Sequence, residues 1–119
     1  MTRLWRACIN TWNGLTFATR SEQAIREELF ALLLAVPLAL LIGTTAARRL
    51  EMVAVVLLLL TVELLNTAIE KLADRVTTEH DPQIGAVKDM GSAAVGVALL
   101  IAGLTWMFAL GERIGLYQA

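Results

Sequence analysis

Cysteine and histidine each occur once in the 119 residues, as Cys8 and His80. A lone cysteine excludes a disulfide within the chain, and nothing points to secretion. A lone histidine argues against a His-based metal site within one chain, and His80 reads as an exposed loop residue, within reach of a nucleotide. No sign of charge dominates, with 10 basic against 11 acidic side chains, so there is no nucleic-acid footprint. There is no GxxxxGKS/T phosphate loop and no HRD or DFG set. The opening MTRLWRACINTWNG has no apolar h-region and does not read as a cleaved signal peptide. Low-complexity tracts and internal repeats are absent too.

Hydrocarbon is what the sequence has in abundance. Hydrophobic residues make up 57% of the chain, and the mean hydropathy is +0.65, well above that of an ordinary soluble domain. Three apolar runs, at about 29–47, 52–70 and 90–110, each approach the ~20 residues that cross a bilayer as a helix. They are apolar nearly all round, which a small soluble domain cannot hide. Pro37 lies inside the first run, where a membrane helix tolerates it. Ahead of them, over about 3–20, Leu4, Trp5, Cys8, Ile9, Trp12 and Leu15 recur at helical spacing opposite Arg3, Arg6, Asn10 and Asn13. That pattern predicts an amphipathic helix lying in the interface. The fold expected is an all-α membrane protein of one domain: a surface helix and three transmembrane helices, bundled as an oligomer. Arg3, Arg6, Arg20, Arg26, Lys71, Arg75 and Lys88 outweigh Arg48, Arg49 and Arg113. The imbalance places the N-terminus and the second loop in the cytoplasm, with a short loop near Thr44–Glu51 and the C-terminus outside.

The second run does not end as hydrocarbon. It continues as VELLNTAIEKLAD, residues 62–74, with Glu63, Asn66, Glu70 and Asp74. At 100° per residue, Glu70 and Asp74 fall within about 20° of Glu63, and Asn66 about 60° away. They form one stripe, with Glu63 and Glu70 about 10 Å apart along the axis. A charge deep in a bilayer costs at least ~2.5–3.5 kcal/mol, so such groups must face protein, bind a cation or stay protonated. The plain alternative is a polar packing stripe with Asn66 bonding between helices.

Two further clusters flank the stripe. In SEQAIREE, residues 21–28, Ser21 is a plausible helix cap, and Glu22, Arg26 and Glu27 fall within the first turns. In VKDMGSAA, residues 87–94, Lys88 and Asp89 are expected where a helix N-terminus meets the cytoplasm and its N–H groups can accept phosphate. The small residues Gly91, Ser92, Ala93 and Ala94 there permit close helix approach. All three clusters fall on the same side of the bilayer. Carboxylates of this kind suit Mg2+, which takes one or two of them plus substrate phosphates, and a lysine can hold phosphate as a point charge. A desolvated carboxylate deeper in the membrane makes a better general base. The pattern suggests phosphoryl transfer from a nucleotide to a lipid alcohol, with the phosphate site assembled from helix ends and carboxylates.

VELLNTAIEKLADR followed by KDMGSAAV closely resembles the prokaryotic diacylglycerol kinase family, small integral-membrane kinases of bacteria, and the resemblance runs over nearly the whole chain. It implies a homotrimer in the inner membrane with active sites shared between protomers. It also implies MgATP-dependent phosphorylation of diacylglycerol to phosphatidic acid. Carried over by position, Glu63 is the catalytic base on the lipid hydroxyl, and Glu22 and Glu70 hold the Mg2+ that bridges the ATP phosphates. Lys88 and Asp89 contact the nucleotide, as do Arg3, Asn10, Glu79, His80 and Asp81, with Asn66 and Asp74 in support. Arg3 and Glu63, with Ser92 and Trp106, fall where lipid is contacted. The chain departs from the family at Asn10, where some members carry an aromatic, at Gly85–Ala86–Val87, which lacks the common arginine, and in the loop EHDPQ.

A sister activity, undecaprenol kinase, tends to carry KDxAAGAV where this chain reads KDMGSAAV. From another class, a small proton-coupled transporter also uses an intramembrane glutamate, but at this length usually spans four times. A structural subunit would bury the stripe against a partner.

Overall fold

The computed structural model describes residues 2–116, and those residues form four helices joined by short connections. They are α1 (Thr2–Ser21), α2 (Gln23–Ile42), α3 (Ala46–Val76) and α4 (Pro82–Arg113). No strand occurs among the described residues.

The helix ends follow local chemistry. A single extended residue, Glu22, separates α1 from α2 and occupies the α2 N-cap without a side-chain cap bond. Ser21, the expected cap, is instead the last residue of α1. Arg26 explains the sharp junction: its guanidinium reaches back to donate to the carbonyls of Thr19 (2.9 Å) and Arg20 (3.2 Å), which the end of α1 leaves without helical partners. Pro37 removes one backbone donor from α2 without ending it.

The first apolar run does not remain one helix to residue 47. It stops at Ile42, and Ala46 and Ala47 open α3, leaving a turn of only Gly43–Thr44–Thr45 where a loop over Thr44–Glu51 was expected. Thr45 caps α3 by accepting from the Arg48 N–H at 3.1 Å. Gly43 is required there because a Cβ would collide with the Arg49 side chain and the Ala39 carbonyl. At the start of α4, Asp81 accepts from the N–H groups of Gln83 (2.9 Å) and Ile84 (3.2 Å), and Pro82 occupies the first turn. Its far end closes through Gly115, at φ 83°, with Leu116 N–H bonded to the Gly111 carbonyl at 2.9 Å.

Two contacts at opposite ends show that α3 and α4 run antiparallel. Arg48, in the first turn of α3, bonds Glu112 at the end of α4, and Asp74 near the end of α3 meets Lys88 near the start of α4. Packing is thin and built on small residues. Ala18, Ile25 and Leu60 form one cluster, with Leu29, Leu32 and Leu64 against it. Ala39, Met52 and Ala109 form another at the far end, with Ile42, Val53 and Trp106.

The outward surface is hydrocarbon: Leu57, Leu58 and Leu65 on α3, and Val97, Leu100, Leu104 and Met107 on α4, are exposed. Such a surface would be a liability in water but is at no disadvantage against lipid tails. The 31-residue α3 and 32-residue α4 are long and apolar enough to cross a membrane, and only 22% and 11% of their most apolar windows are buried. Each measures about 46–48 Å, longer than the ~30 Å hydrocarbon core. In α2, Arg26, Glu27 and Glu28 leave an uncharged helical stretch of only about 21 Å, so two of the three expected spans meet the length and composition requirement.

Candidate active site

The junction of α1 and α2, the last turns of α3 and the first turns of α4 meet at one end of the bundle. Two ion pairs tie them together. Lys71 of α3 lies 2.9 Å from the Glu22 carboxylate at the α2 N-cap, with its ammonium 5.3 Å from the centre of the Phe17 ring of α1. Lys88 of α4 lies 2.6 Å from the Asp74 carboxylate of α3. The three clusters separated in sequence thus share one region.

Within it, the stripe on α3 is graded in exposure. Glu63 is half-buried, while Glu70 and Asp74 are exposed. Asn66, between them, is 7% exposed; its Nδ2 donates to Glu70 Oε1 at 3.0 Å. The spacing explains that bond, since residues four apart are neighbours on a helix face. Glu63 lies within electrostatic reach of both Glu70 and Glu22. Glu63 thus feels one carboxylate of its own helix and one from the α2 N-cap.

Glu28 belongs to the same group, and the sequence reading passed it over. It feels the charge of Glu63, and its Oε2 is buried without a hydrogen-bond partner. A signal was present. Ile25, Glu28, Leu29 and Leu32 follow i, i+3, i+4, i+7 spacing, which puts Glu28 on the apolar stripe that packs against α3.

Other expected residues are placed differently. α4 begins at Pro82, so Lys88 and Asp89 sit well inside the helix rather than at its N-terminus. Their N–H groups are spent on helical bonds, and only their side chains are available to a ligand. Glu79, His80 and Asp81 lie in the α3–α4 loop and, with Thr77, Thr78, Ile84, Gly85 and Lys88, line a hollow of about 340 Å3. One oxygen of Asp81 is already engaged in capping α4. Arg3 and Asn10 are exposed on α1, and Ser92 is exposed on α4.

Trp106 lies at the far end of the bundle, its indole donating to the Met52 carbonyl at 3.0 Å, about 16 Å along α3 from Glu63. An apolar groove of about 590 Å3 runs between α1 and α3, lined by Asn10, Thr11, Gly14, Leu15, Phe17, Ala18, Leu64, Thr67, Ala68 and Lys71. It reaches the polar cluster at Lys71.

Among the described residues, no three His, Cys, Asp or Glu side chains come together to hold a metal by themselves. A divalent cation bound here would take one or two carboxylates and complete its shell with phosphates and water, as Mg2+ does. Glu22 and Glu70, hard oxygen donors beside Glu63, fit that requirement.

The family model described as prokaryotic diacylglycerol kinase matches residues 9–110. A diacylglycerol kinase of Escherichia coli is 40% identical over 114 residues, covering 96% of this chain and 93% of its own. That of Haemophilus influenzae is 38% identical over 106 residues, covering 89% and 90%. That of Pseudomonas aeruginosa is 44% identical over 93 residues, covering 78% and 76%. With matches of that extent, spanning the carboxylate stripe and the helices that frame it, the chain belongs to the prokaryotic diacylglycerol kinase family.

Proposed function

We propose that this protein transfers the γ-phosphoryl group of ATP to the primary hydroxyl of diacylglycerol, giving phosphatidic acid and ADP at the cytoplasmic face of the bacterial inner membrane. The observation that carries the proposal is the half-buried Glu63 within electrostatic reach of Glu70 and Glu22, on a helix long and apolar enough to span. Glu63 takes the proton of the lipid hydroxyl as its oxygen attacks the γ-phosphorus, and the bond from that phosphorus to the bridging oxygen of ADP breaks. Glu22 and Glu70 would hold Mg2+, which offsets charge on the transferring phosphoryl group. Lys71 now neutralises Glu22, and Asn66 fixes one oxygen of Glu70.

On the nucleotide side, the proposal assigns Lys88 and Asp89, with Glu79, His80 and Asp81 along the loop hollow and Arg3 and Asn10 on α1. The groove between α1 and α3 offers an acyl chain an apolar course ending at the polar cluster, with Ser92 and Trp106 as further lipid contacts. α2 completes the set of three spans by carrying its charged first turns into the headgroup region, and α1 lies along the surface on Trp5 and Trp12. The thin single-chain core fits assembly as a homotrimer with sites shared between protomers.

The test is transfer of radiolabelled phosphate from ATP to diacylglycerol and undecaprenol, mixed in micelles, with and without Mg2+. Labelled phosphatidic acid formed only with Mg2+ is the expected result. Preferential labelling of undecaprenol would move the substrate to the sister activity. ATP turnover indifferent to both lipids would overturn the reading.

A further inference from the structure

We propose that Gly91 is a positioning residue for the metal-binding carboxylate Glu70, acting through Asn66; the inference rests on the assignment of Glu70 made above. Gly91 is buried on α4 and faces Asn66 on α3. A Cβ at Gly91 would fall on the Asn66 Oδ1 atom, with Asn66 Cγ at 3.3 Å. At Gly85, Gly96 and Gly103 of the same helix, an added Cβ meets nothing within 4 Å. The absence of a side chain therefore matters at one of these four positions, and the neighbour it spares is a single amide.

That amide has little freedom to give way. Asn66 is 7% exposed. Its Oδ1 is buried without a hydrogen-bond partner, while its Nδ2 donates to Glu70 Oε1 at 3.0 Å. Oxygen and nitrogen belong to one planar group, so displacing the oxygen swings the donor away from Glu70. Released from that bond, the exposed Glu70 side chain is free to sample other rotamers and is no longer held for a cation. Groups that orient a metal ligand typically account for about 10–100-fold in metal affinity.

The experiment titrates Mn2+, in place of Mg2+, into the full-length protein in micelles with a non-hydrolysable ATP analogue, and reads bound metal by electron paramagnetic resonance. Gly91→Ala is expected to weaken Mn2+ binding about tenfold or more, and Gly96→Ala to leave it unchanged. Asn66→Ala weakens binding as well, and on that background Gly91→Ala adds nothing, because the amide it would displace is gone. Binding by Gly91→Ala within about twofold of wild type, or independent effects of the two substitutions, overturns the inference and leaves the assignment of Glu70 standing. Wild-type protein that binds no Mn2+ with the nucleotide overturns the assignment and the inference together. Should Gly91→Ala alone fail to fold, as read by circular dichroism, the double variant is expected to fold. A double variant that also fails would make Gly91 a general packing residue and sink the proposal.

Discussion

The Lys88 ammonium of α4 lies 2.6 Å from the Asp74 carboxylate of α3, bridging the two helices just beyond the loop that joins them. Both side chains are well exposed, so the pair is worth at most about 1 kcal/mol to the fold. Its interest is that it parks a cation beside the loop hollow, where the proposed nucleotide phosphates belong.

Replacing Lys88 separates those two roles. Lys88→Met should leave thermal unfolding in micelles nearly unchanged. It should raise KM for ATP about 10–100-fold, the usual 1.5–3 kcal/mol of a hydrogen bond to a charged group. KM for the lipid should hold. Steady-state kinetics with each substrate varied in turn checks this, and equal effects on both would remove Lys88 from the nucleotide side.

Glu63→Gln keeps the shape of the side chain and removes the base. Expected is a loss of about 10²–10⁴-fold in kcat, with helical content preserved and nucleotide-dependent Mn2+ binding retained. Wild-type turnover by this variant would show that the proton goes elsewhere.

Glu28→Gln should stabilise the protein. Burial first, and then the charges of Glu63 and Glu27, oppose ionisation of the native side chain and raise its pKa to about 7. A neutral amide ends the repulsion at nearly constant volume. A gain of at most about 1 kcal/mol, the charge being partly open to solvent, should appear in equilibrium unfolding by SDS at about pH 8 without metal or nucleotide. It should fade as pH falls from about 7 toward 4.5, where the native side chain takes up a proton itself. A clear loss would mean that Glu28 has a stabilising partner in the assembled protein.

At the opposite end, Glu112 and Glu51 both bond Arg48, at 2.7 and 2.5 Å, yet their burial differs: 4% of the Glu112 side chain is exposed against 52% of Glu51. Glu112→Ala should therefore lower the unfolding midpoint clearly, because it strips a buried partner from Arg48. Glu51→Ala should barely move it. Neither should alter KM for ATP, since Arg48 lies about 22 Å along α3 from Glu63. Unfolding of both variants in parallel with kinetics tests the ranking.

Much of the architecture was legible because it rests on local periodicity. The hydrocarbon of 52–70 and 90–110 predicted long helices, and α3 and α4 contain both stretches. The 3.6-residue period put Glu63, Asn66, Glu70 and Asp74 on one side before any contact was known, and the Asn66–Glu70 bond follows from it. Helix boundaries were harder. Ser21 looked like a cap by residue type, but the break at Glu22 is held by Arg26, a partner several residues away. Lys88 was expected at a helix start because its own neighbourhood is polar. The real start was marked by Asp81 and Pro82, a capping pair nearly two turns earlier.

By itself, then, the sequence determined that this chain is helical, lipid-facing and acidic at one end, because a repeating apolar pattern leaves few other ways to satisfy backbone and side chains. Only the tertiary structure decided which acids meet. Glu28 joins Glu63 across α2 and α3, Glu22 is claimed by Lys71, and Asn66 is seated against the bare backbone of Gly91. Those choices depend on how helices approach one another, and interhelical distance is a property that no spacing along a single chain encodes.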